Sequence, residues 1–508
     1  MNQSLKIYFT SDVHGYFFST TYADRKEQNR GLLKCAQGFH KDGNTLVIDA
    51  GDLLQGSAFT YYCQSELKSN EAIADIMNEC GYDYITFGNH DFNYGTDYLR
   101  KYLSKLNATP VCQNVRSLRG EHLYPYQIKT LENGLRVGLV GIVTDYVNIW
   151  EKPSNIEDIT IVDPFEEAKL ALAELKEEVD ITICVYHGGF ERDLATKKKL
   201  ADTTENIAYR ICEELDFDLL LTGHQHMSIE GQFVNGTYVV QPKENAIQYH
   251  EILVKKTQDG LDICSQIKSP TEDAKALSSE ANVAIESKVQ DWLDNVVGKL
   301  ESALLPQDKL TMAMKGNTIA DFLNRIQLHY SGAMISAVSL ANEVAGFNES
   351  VTRRDIIATY PYPNTLVVFE MTGKNLRQAI ERSAEYFAFD EEGNAVISKA
   401  FLEPKVEHYN YDFYAGLDYQ IDPTRPCGDR VVEYKYNGKD ILDDDILTVC
   451  VNNYRASGAG NYPMYTNCKV IKEINVEMVE MIMSYFEEEQ GETIHIEQSN
   501  PIVKEDLV

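Results

Sequence analysis

The chain has 508 residues, 44% of them apolar, and its net charge is −31. This length accommodates roughly two to four domains with sizeable cores, and no stretch approaches the ~20 apolar residues of a membrane helix, so no membrane span is expected. The acidity argues against a nucleic-acid polymer as partner, because a polyanion would be repelled without a compensating basic patch; the only basic run, Lys197-Lys198-Lys199, reads as a solvated helix face.

The first ten residues, Met1 to Thr10, lack the basic segment, apolar run and small-residue cleavage site of a secretory leader, and read as a first strand. As the sequence stands this points to the cytoplasm, or to the periplasm or the extracellular space if a leader has been removed. Residues 1–268 then alternate short β-branched runs with amphipathic helices. The runs fall at 5–10, 46–49, 84–87, 136–143, 181–186, 219–222 and 238–240. Between two of them Ile73, Ile76, Met77 and Cys80 follow helical spacing, and Gly81 is placed to cap that helix. The pattern predicts a layered α/β domain.

Ser269-Pro270 breaks the chain, and residues 269–305 read as a linker whose helix carries Ile285, Val289, Trp292 and Val296 on one stripe. A second globular segment, 306–508, mixes helices (319–329, 375–387) with strands (365–371, 446–451). The ten cysteines include no CxxC pair and several lie in apolar runs, which fits buried thiols in a reducing compartment better than a disulfide framework.

Five short motifs follow five of the expected strands: Thr10-Ser11-Asp12-Val13-His14-Gly15, Asp49-Ala50-Gly51-Asp52, Phe87-Gly88-Asn89-His90-Asp91, Tyr186-His187-Gly188-Gly189 and Thr222-Gly223-His224-Gln225-His226. Strand ends are where ligands converge in α/β sheets. The motifs offer a mixed oxygen and nitrogen donor set that suits two borderline divalent cations, Mn, Zn or Fe, and suits calcium poorly. Two such cations ~3.5–4 Å apart would activate a water between them and neutralise phosphoryl oxygens during in-line attack. One carboxylate must bridge the pair, and Asp52 is central in the order. His90 is not needed as a ligand and can donate to the departing oxygen. Asn89, His90 and Asp91 are therefore the catalytic candidates.

In this combination the motifs resemble the calcineurin-like metallophosphoesterases. The second segment resembles the C-terminal domain of the 5′-nucleotidase family, through Tyr360-Pro361-Tyr362-Pro363-Asn364-Thr365-Leu366, Thr372-Gly373-Lys374-Asn375-Leu376, Gly416-Leu417-Asp418-Tyr419-Gln420-Ile421-Asp422 and Asn452-Asn453-Tyr454-Arg455-Ala456-Ser457-Gly458. The resemblance implies a four-layer αββα domain, a linker helix and an α/β nucleotide-binding domain. It implies Asp12, His14, Asp52 and His226 around one metal, and Asp52, Asn89, His187 and His224 around the other. Family members stack the base between two aromatic rings. Tyr454 matches one, and Tyr409 is favoured over Tyr411 for the second, with Asn452, Arg455 and Gly458 as further candidates.

Two departures bear on the substrate. Many 5′-nucleotidases carry Asn-His-Glu-Phe-Asp, whose last Asp orients the catalytic His; here the run is Asn89-His90-Asp91-Phe92-Asn93-Tyr94-Gly95. The Asn-Gly-Gly-x-x-Arg motif of that family is replaced by Asn342-Glu343-Val344-Ala345-Gly346-Phe347, with Arg353 and Arg354 close by. The Phe92-Asn93-Tyr94-Gly95 form resembles the 2′,3′-cyclic-nucleotide 2′-phosphodiesterase/3′-nucleotidase branch, and both departures, with Asn453-Tyr454-Arg455-Ala456, favour it. The alternative is a 5′-nucleotidase or nucleotide-sugar hydrolase. The expected partner is a small nucleotide, and no obligate protein partner is implied.

Overall fold

Along the strand Ile181–His187, Ile181, Ile183 and Val185 join one buried cluster, while Cys184 and Tyr186 join another. The same division runs through Arg136–Val143 (Val137 and Leu139 against Val140 and Ile142) and Leu219–Thr222 (Leu219 and Leu221 against Leu220). Alternation with both faces apolar is the pattern of a sheet covered on each side. The first cluster also takes Leu5, Ile7, Phe9, Leu46 and Ile48 from a second sheet, so it is the layer where two sheets face each other. The second takes Phe165, Ala168 and Leu172 from the helix Pro164–Leu175, and Ile211 from the helix Ala208–Glu214. The computed structural model, which describes residues 3–200, 204–270, 278–362, 364–403 and 406–503, thus has an αββα first unit.

Each of these sheets has six strands among the described residues. In one, Ser4–Thr10, Thr45–Asp49 and Tyr84–Ile85 run parallel side by side. In the other, Ile181–His187 lies between Arg136–Val143 and Leu219–Thr222, again in parallel. The five motifs therefore leave the carboxyl ends of parallel strands, where loops are free to carry ligands rather than ladder hydrogen bonds.

The second unit is built on a mixed five-stranded sheet in the order Asp412–Ala415, Ile335–Ser339, Ile446–Asn452, Leu366–Thr372, Lys469–Ile474. The amphipathic helix Thr318–Ser331, capped by Asn317, packs on this sheet. The chain divides at Gln290/Asp291, inside the helix Glu280–Leu293 and inside the expected linker, with Tyr22–Asp24 grouped with the second unit. Linker residues 271–277 and Pro363 of the tyrosine–proline motif lie outside the described residues.

Three local expectations are corrected. The linker helix ends at Leu293, and Val296 opens a strand paired with Thr352; consecutive valines at 296 and 297 favour a pleated surface over a helix. Lys197–Lys199 are exposed, but on a turn closed by a bridge between Arg192 and Lys199, not on a helix. The helix expected to reach Phe387 stops at Ala384, and Phe387 begins a short hairpin strand. All ten cysteines are free thiols, seven of them buried. Among the described residues no helix is long and apolar enough to cross a membrane.

Candidate metal centre

Two groups of side chains come together at the carboxyl edge of the first unit's sheets. Asp12, His14 and His226 form one, and Asp52, His187 and His224 the other. In the first, Nε2 of His226 lies 3.4 Å from Oδ1 of Asp12 and 3.2 Å from Nε2 of His14. In the second, Nε2 of His187 lies 3.1 Å from Oδ2 of Asp52. That same Oδ2 is 3.9 Å from Nε2 of His14, so one carboxylate oxygen faces imidazoles of both groups. The other oxygen, Oδ1, accepts the backbone N–H of His90 at 2.8 Å. The division of labour inside Asp52 is therefore built in: one oxygen anchored, one open to the cluster.

Asn89 is buried beside this cluster, and its Oδ1 has no hydrogen-bond partner, while Nε2 of His187 faces only the Asp52 carboxylate. Leaving a buried polar atom unpaired costs about 1–3 kcal/mol, and an amide oxygen left so beside the carboxylates and imidazoles of these two groups fits a bound cation. The chemistry of the set, carboxylate, amide and imidazole, fits borderline divalent ions.

The imidazoles are oriented by hydrogen bonds from their far sides. Nδ1 of His14 and of His187 donate to the carbonyls of Gln55 (3.1 Å) and Ala50 (2.7 Å). A carbonyl only accepts, so both rings carry a proton on Nδ1 and turn Nε2 toward the cluster. His224 is held the other way round, Nε2 donating to Oε1 of Glu205 at 2.9 Å, which leaves Nδ1 as its ligand atom. Trp150 lies nearly parallel over His224, centroids 5.5 Å apart. Glu205 and Trp150 carry no motif signal and were not legible in the sequence.

Burial pushes the Asp52 carboxyl up, but the charges of His187 and His90 outweigh it and hold it well below the usual range. Asp12 is likewise held low against burial by its hydrogen bond to His226 and by the charge of His187. Burial drives His14 down to about 4. Both carboxylates are thus ionised and His14 is neutral at neutral pH, the states that ligation requires, whereas burial disfavours a charged His187 but the charge of Asp52 outweighs it and raises that ring to about 10, so that a cation taking its Nε2 would displace a proton.

The local backbone is strained at these residues. Asp12, His14, Asp52, His224 and His226 have φ of 55°, 48°, 58°, 71° and 56°, a region that costs a non-glycine residue on the order of 1–3 kcal/mol. Contacts between loops hold them there: Asp12 N–H donates to Gly51 O (2.9 Å), and His14 N–H to Asp52 O (2.8 Å). The loops are stacked so closely that a Cβ on Gly88 would fall 2.0 Å from Oδ1 of Asp52.

Asp91, a catalytic candidate by its place in the third motif, serves this stacking instead. It is buried, and its carboxylate accepts the backbone N–H groups of Asp52, Leu53, Leu54 and Gly88 at 2.8–3.0 Å. All of its close partners are backbone donors, so it pins the second motif to the third rather than facing a reacting group.

In the second unit the candidate base-binding residues separate into two kinds. Tyr454 is 40% exposed, and Tyr409 stands next to it, centroids 6.1 Å apart at 75°. The two rings meet edge to face and do not form a parallel-walled slot. Tyr411 is buried and its hydroxyl donates to the carbonyl of Ala313 (2.9 Å). Asn452 caps the short helix Asn453–Ala456 by accepting from Arg455 N–H (2.7 Å). Gly458 has φ 84°, and a Cβ there would meet Thr466 at 2.6 Å. Arg455 is buried and paired with Asp412. These four shape the loop under the tyrosines. Of the nearby arginines, Arg353 stacks on Trp292 (4.3 Å) and Arg354 pairs with Asp294.

Comparison with known proteins agrees with this geometry. Residues 5–228 match the calcineurin-like phosphoesterase family, and residues 296–467 match the 5′-nucleotidase C-terminal domain. The trifunctional nucleotide phosphoesterase YfkN of Bacillus subtilis is 26% identical over 96% of this chain, which spans 38% of that relative's length. The 2′,3′-cyclic-nucleotide 2′-phosphodiesterase/3′-nucleotidase of Salmonella typhimurium is 26% identical over 89% of the chain and 81% of its own length. A crystal structure from Staphylococcus aureus, provisionally named a 5′-nucleotidase, is 32% identical with a TM-score of 0.77 and covers 99% of both chains.

Proposed function

Since the chain belongs to the calcineurin-like phosphoesterases with a 5′-nucleotidase C-terminal domain, metal-dependent phosphoester hydrolases, we propose that it hydrolyses nucleotide phosphoesters at a dinuclear centre, with 2′,3′-cyclic nucleotides and 3′-nucleotides preferred. The observation that carries the chemistry is the paired donor set, beside which Asn89 keeps a buried amide oxygen without a partner. Asp12, His14, Asp52 and His226 would hold one ion, and Asp52, Asn89, His187 and His224 the second. Two divalent ions of this kind (Mn, Zn or Fe) supply Lewis acidity at the phosphoryl group and a water nucleophile active at neutral pH. The ring of His90, 5.4 Å from that of His14, stands beside the donor set and donates a proton to the leaving oxygen. The free cysteines support a reducing compartment as its setting.

The preference for cyclic and 3′ substrates rests on Asn93 in the third motif and on the Salmonella relative's activity. The name of the Staphylococcus aureus neighbour favours the second reading, a 5′-nucleotidase. Hydrolysis of 2′,3′-cyclic AMP, 3′-AMP and 5′-AMP with added Mn²⁺ separates them. The expected order is cyclic and 3′ substrates above 5′-AMP, with all turnover lost in EDTA. Preference for 5′-AMP would move the assignment to the second reading, and EDTA-resistant turnover would overturn the metal-dependent mechanism.

In the second unit the exposed face of Tyr454 is the stacking platform for the base. A base on an aromatic ring contributes about 1–3 kcal/mol. Tyr454→Ala is therefore expected to raise KM for nucleotides on the order of tenfold and to leave a small aryl phosphate unaffected. Equal losses on both substrates would point to damage of the fold and not to a lost stack.

A further inference from the structure

The third motif lacks the carboxylate that the resemblance leads one to expect beside His90; Asn93 stands there instead. In the structure Nδ1 of His90 lies 2.8 Å from Oδ1 of Asn93, and Nδ2 of Asn93 donates to Oε2 of Glu151 at 2.8 Å. Glu151 is buried, and its other oxygen accepts the backbone N–H of Lys152 (2.7 Å) and Nδ2 of Asn155 (2.8 Å). N–H groups of Lys152 and Asn155 already point at this carboxylate, and the Asn93 amide likewise turns its nitrogen to Glu151 and its oxygen to His90. His90 must in turn carry a proton on Nδ1. Every hydrogen along this path is set from Glu151, which lies far from His90 in sequence, in a segment without a motif. The neighbouring Trp150, at the end of the helix Val147–Trp150, is the ring that covers His224. One short segment thus touches a member of the donor set, through Trp150, and the partner of His90, through Glu151.

We propose that Glu151 is a positioning residue for His90, acting through Asn93 as a relay that replaces a directly bonded carboxylate. The relay aligns the ring and polarises the Asn93 carbonyl against Nδ1–H, so that Nδ1 keeps its proton and a second proton, carried on Nε2 by the imidazolium, is the one presented for donation. As the bond from phosphorus to the leaving oxygen breaks, that oxygen takes the Nε2 proton, and the attacking water supplies the proton that restores it. This deepens the proposed function and rests on it for the role of His90.

The relay makes a prediction that a generic buried glutamate does not. In Glu151→Gln the new amide must turn its NH2 toward a donor on one side or the other, because Asn93, Lys152 and Asn155 all donate to Glu151. In Asn93→Asp two carboxylates face each other. In the double variant Asn93→Asp/Glu151→Gln every hydrogen bond is restored, with the charge moved one place toward His90. Turnover is measured with a nucleotide, whose sugar alkoxide needs a proton to leave, and with p-nitrophenyl phosphate, whose phenolate does not; His90→Ala sets the scale. Glu151→Gln is expected to lower kcat on the nucleotide on the order of tenfold or more, within the roughly 10²–10⁴ that proton donation supplies, and to leave p-nitrophenyl phosphate within about twofold. The double variant should recover most of the loss. Equal losses on both substrates, no loss on either, or no recovery in the double variant would overturn the proposal.

A second readout needs no turnover. In histidine-labelled, Zn²⁺-loaded protein, 15N NMR should show the Nδ1–H of His90 held in a hydrogen bond, and Glu151→Gln should disturb that signal while the double variant restores it. An unchanged His90 signal in Glu151→Gln would count against the relay whatever the substrate is. Failure of the wild type to hydrolyse any nucleotide would count against the proposed function alone.

Discussion

Asp52→Asn is expected to reduce the divalent-metal content from two ions per chain to one or fewer, and to lower kcat on any phosphoester by on the order of 10³ or more, about 4 kcal/mol of transition-state stabilisation. Asparagine keeps an oxygen for the anchored position, where Oδ1 accepts the N–H of His90. In the open position it places an NH2 that cannot ligate, facing the Nε2 atoms of His187 and His14. The backbone should not object, because φ at Asp52 is 58° and asparagine is among the residues that best tolerate that region. The substitution therefore tests bridging with little risk of a folding artefact. Elemental analysis together with turnover decides it: two retained ions and full activity would remove Asp52 from the bridging position.

The donor set was legible because each member sits one to four residues beyond an apolar run, and in a parallel sheet the ends of such runs share one edge. His187, the last residue of its strand, shows how little beyond the pattern was needed. What holds the set was not legible. Glu205 reaches His224, and Glu151 reaches the Asn93 partner of His90, from loops with no periodicity, and a lone glutamate in a loop looks like surface charge until its partners are visible. Asp91 shows the converse. Its place in a dense motif marks it as chemical, whereas its four backbone donors make it a brace between two strained loops. A motif records which residues a site needs, without separating those that face the substrate from those that keep the loops in place.

The same confusion governs the base-binding loop, where Asn452, Tyr454, Arg455 and Gly458 read as one group because they share a Gly/Asn-rich stretch. A short helix such as Asn453–Ala456 turns successive side chains by about 100°, so neighbours in sequence cannot all face one ligand. Tyr454 is exposed and Arg455, one residue on, is buried. The stripe expected to include Val296 fails for a related reason: spacing alone does not reveal where a helix stops and a β-branched pair joins a strand.

Arg455→Met is expected to destabilise the second unit by about 3–5 kcal/mol, the cost of leaving one partner of a buried ion pair without the other. The guanidinium makes two parallel bonds to Asp412 (Nε to Oδ2, 2.8 Å; Nη2 to Oδ1, 2.9 Å), reaches the carbonyls of Ala459 (2.7 Å) and Tyr409 (3.1 Å), and lies over Tyr462 at 3.9 Å. Methionine keeps most of the stem's packing and none of these bonds, so the loss falls mainly on the buried Asp412 carboxylate. Removing that charge as well, in Arg455→Met/Asp412→Leu, should restore stability to within about 1–2 kcal/mol of the wild type, because apolar residues of similar volume often replace a buried pair at little cost. Denaturant unfolding of the four proteins of this cycle reads the coupling directly. The double variant should nonetheless keep a raised KM for nucleotides, since nothing then ties the Tyr409 and Ala459 carbonyls to the loop that carries Tyr454. If it regained stability and nucleotide KM together, Arg455 would have no part in holding the stacking loop; if the single variant lost less than about 1 kcal/mol, the pair would not be the brace its geometry describes.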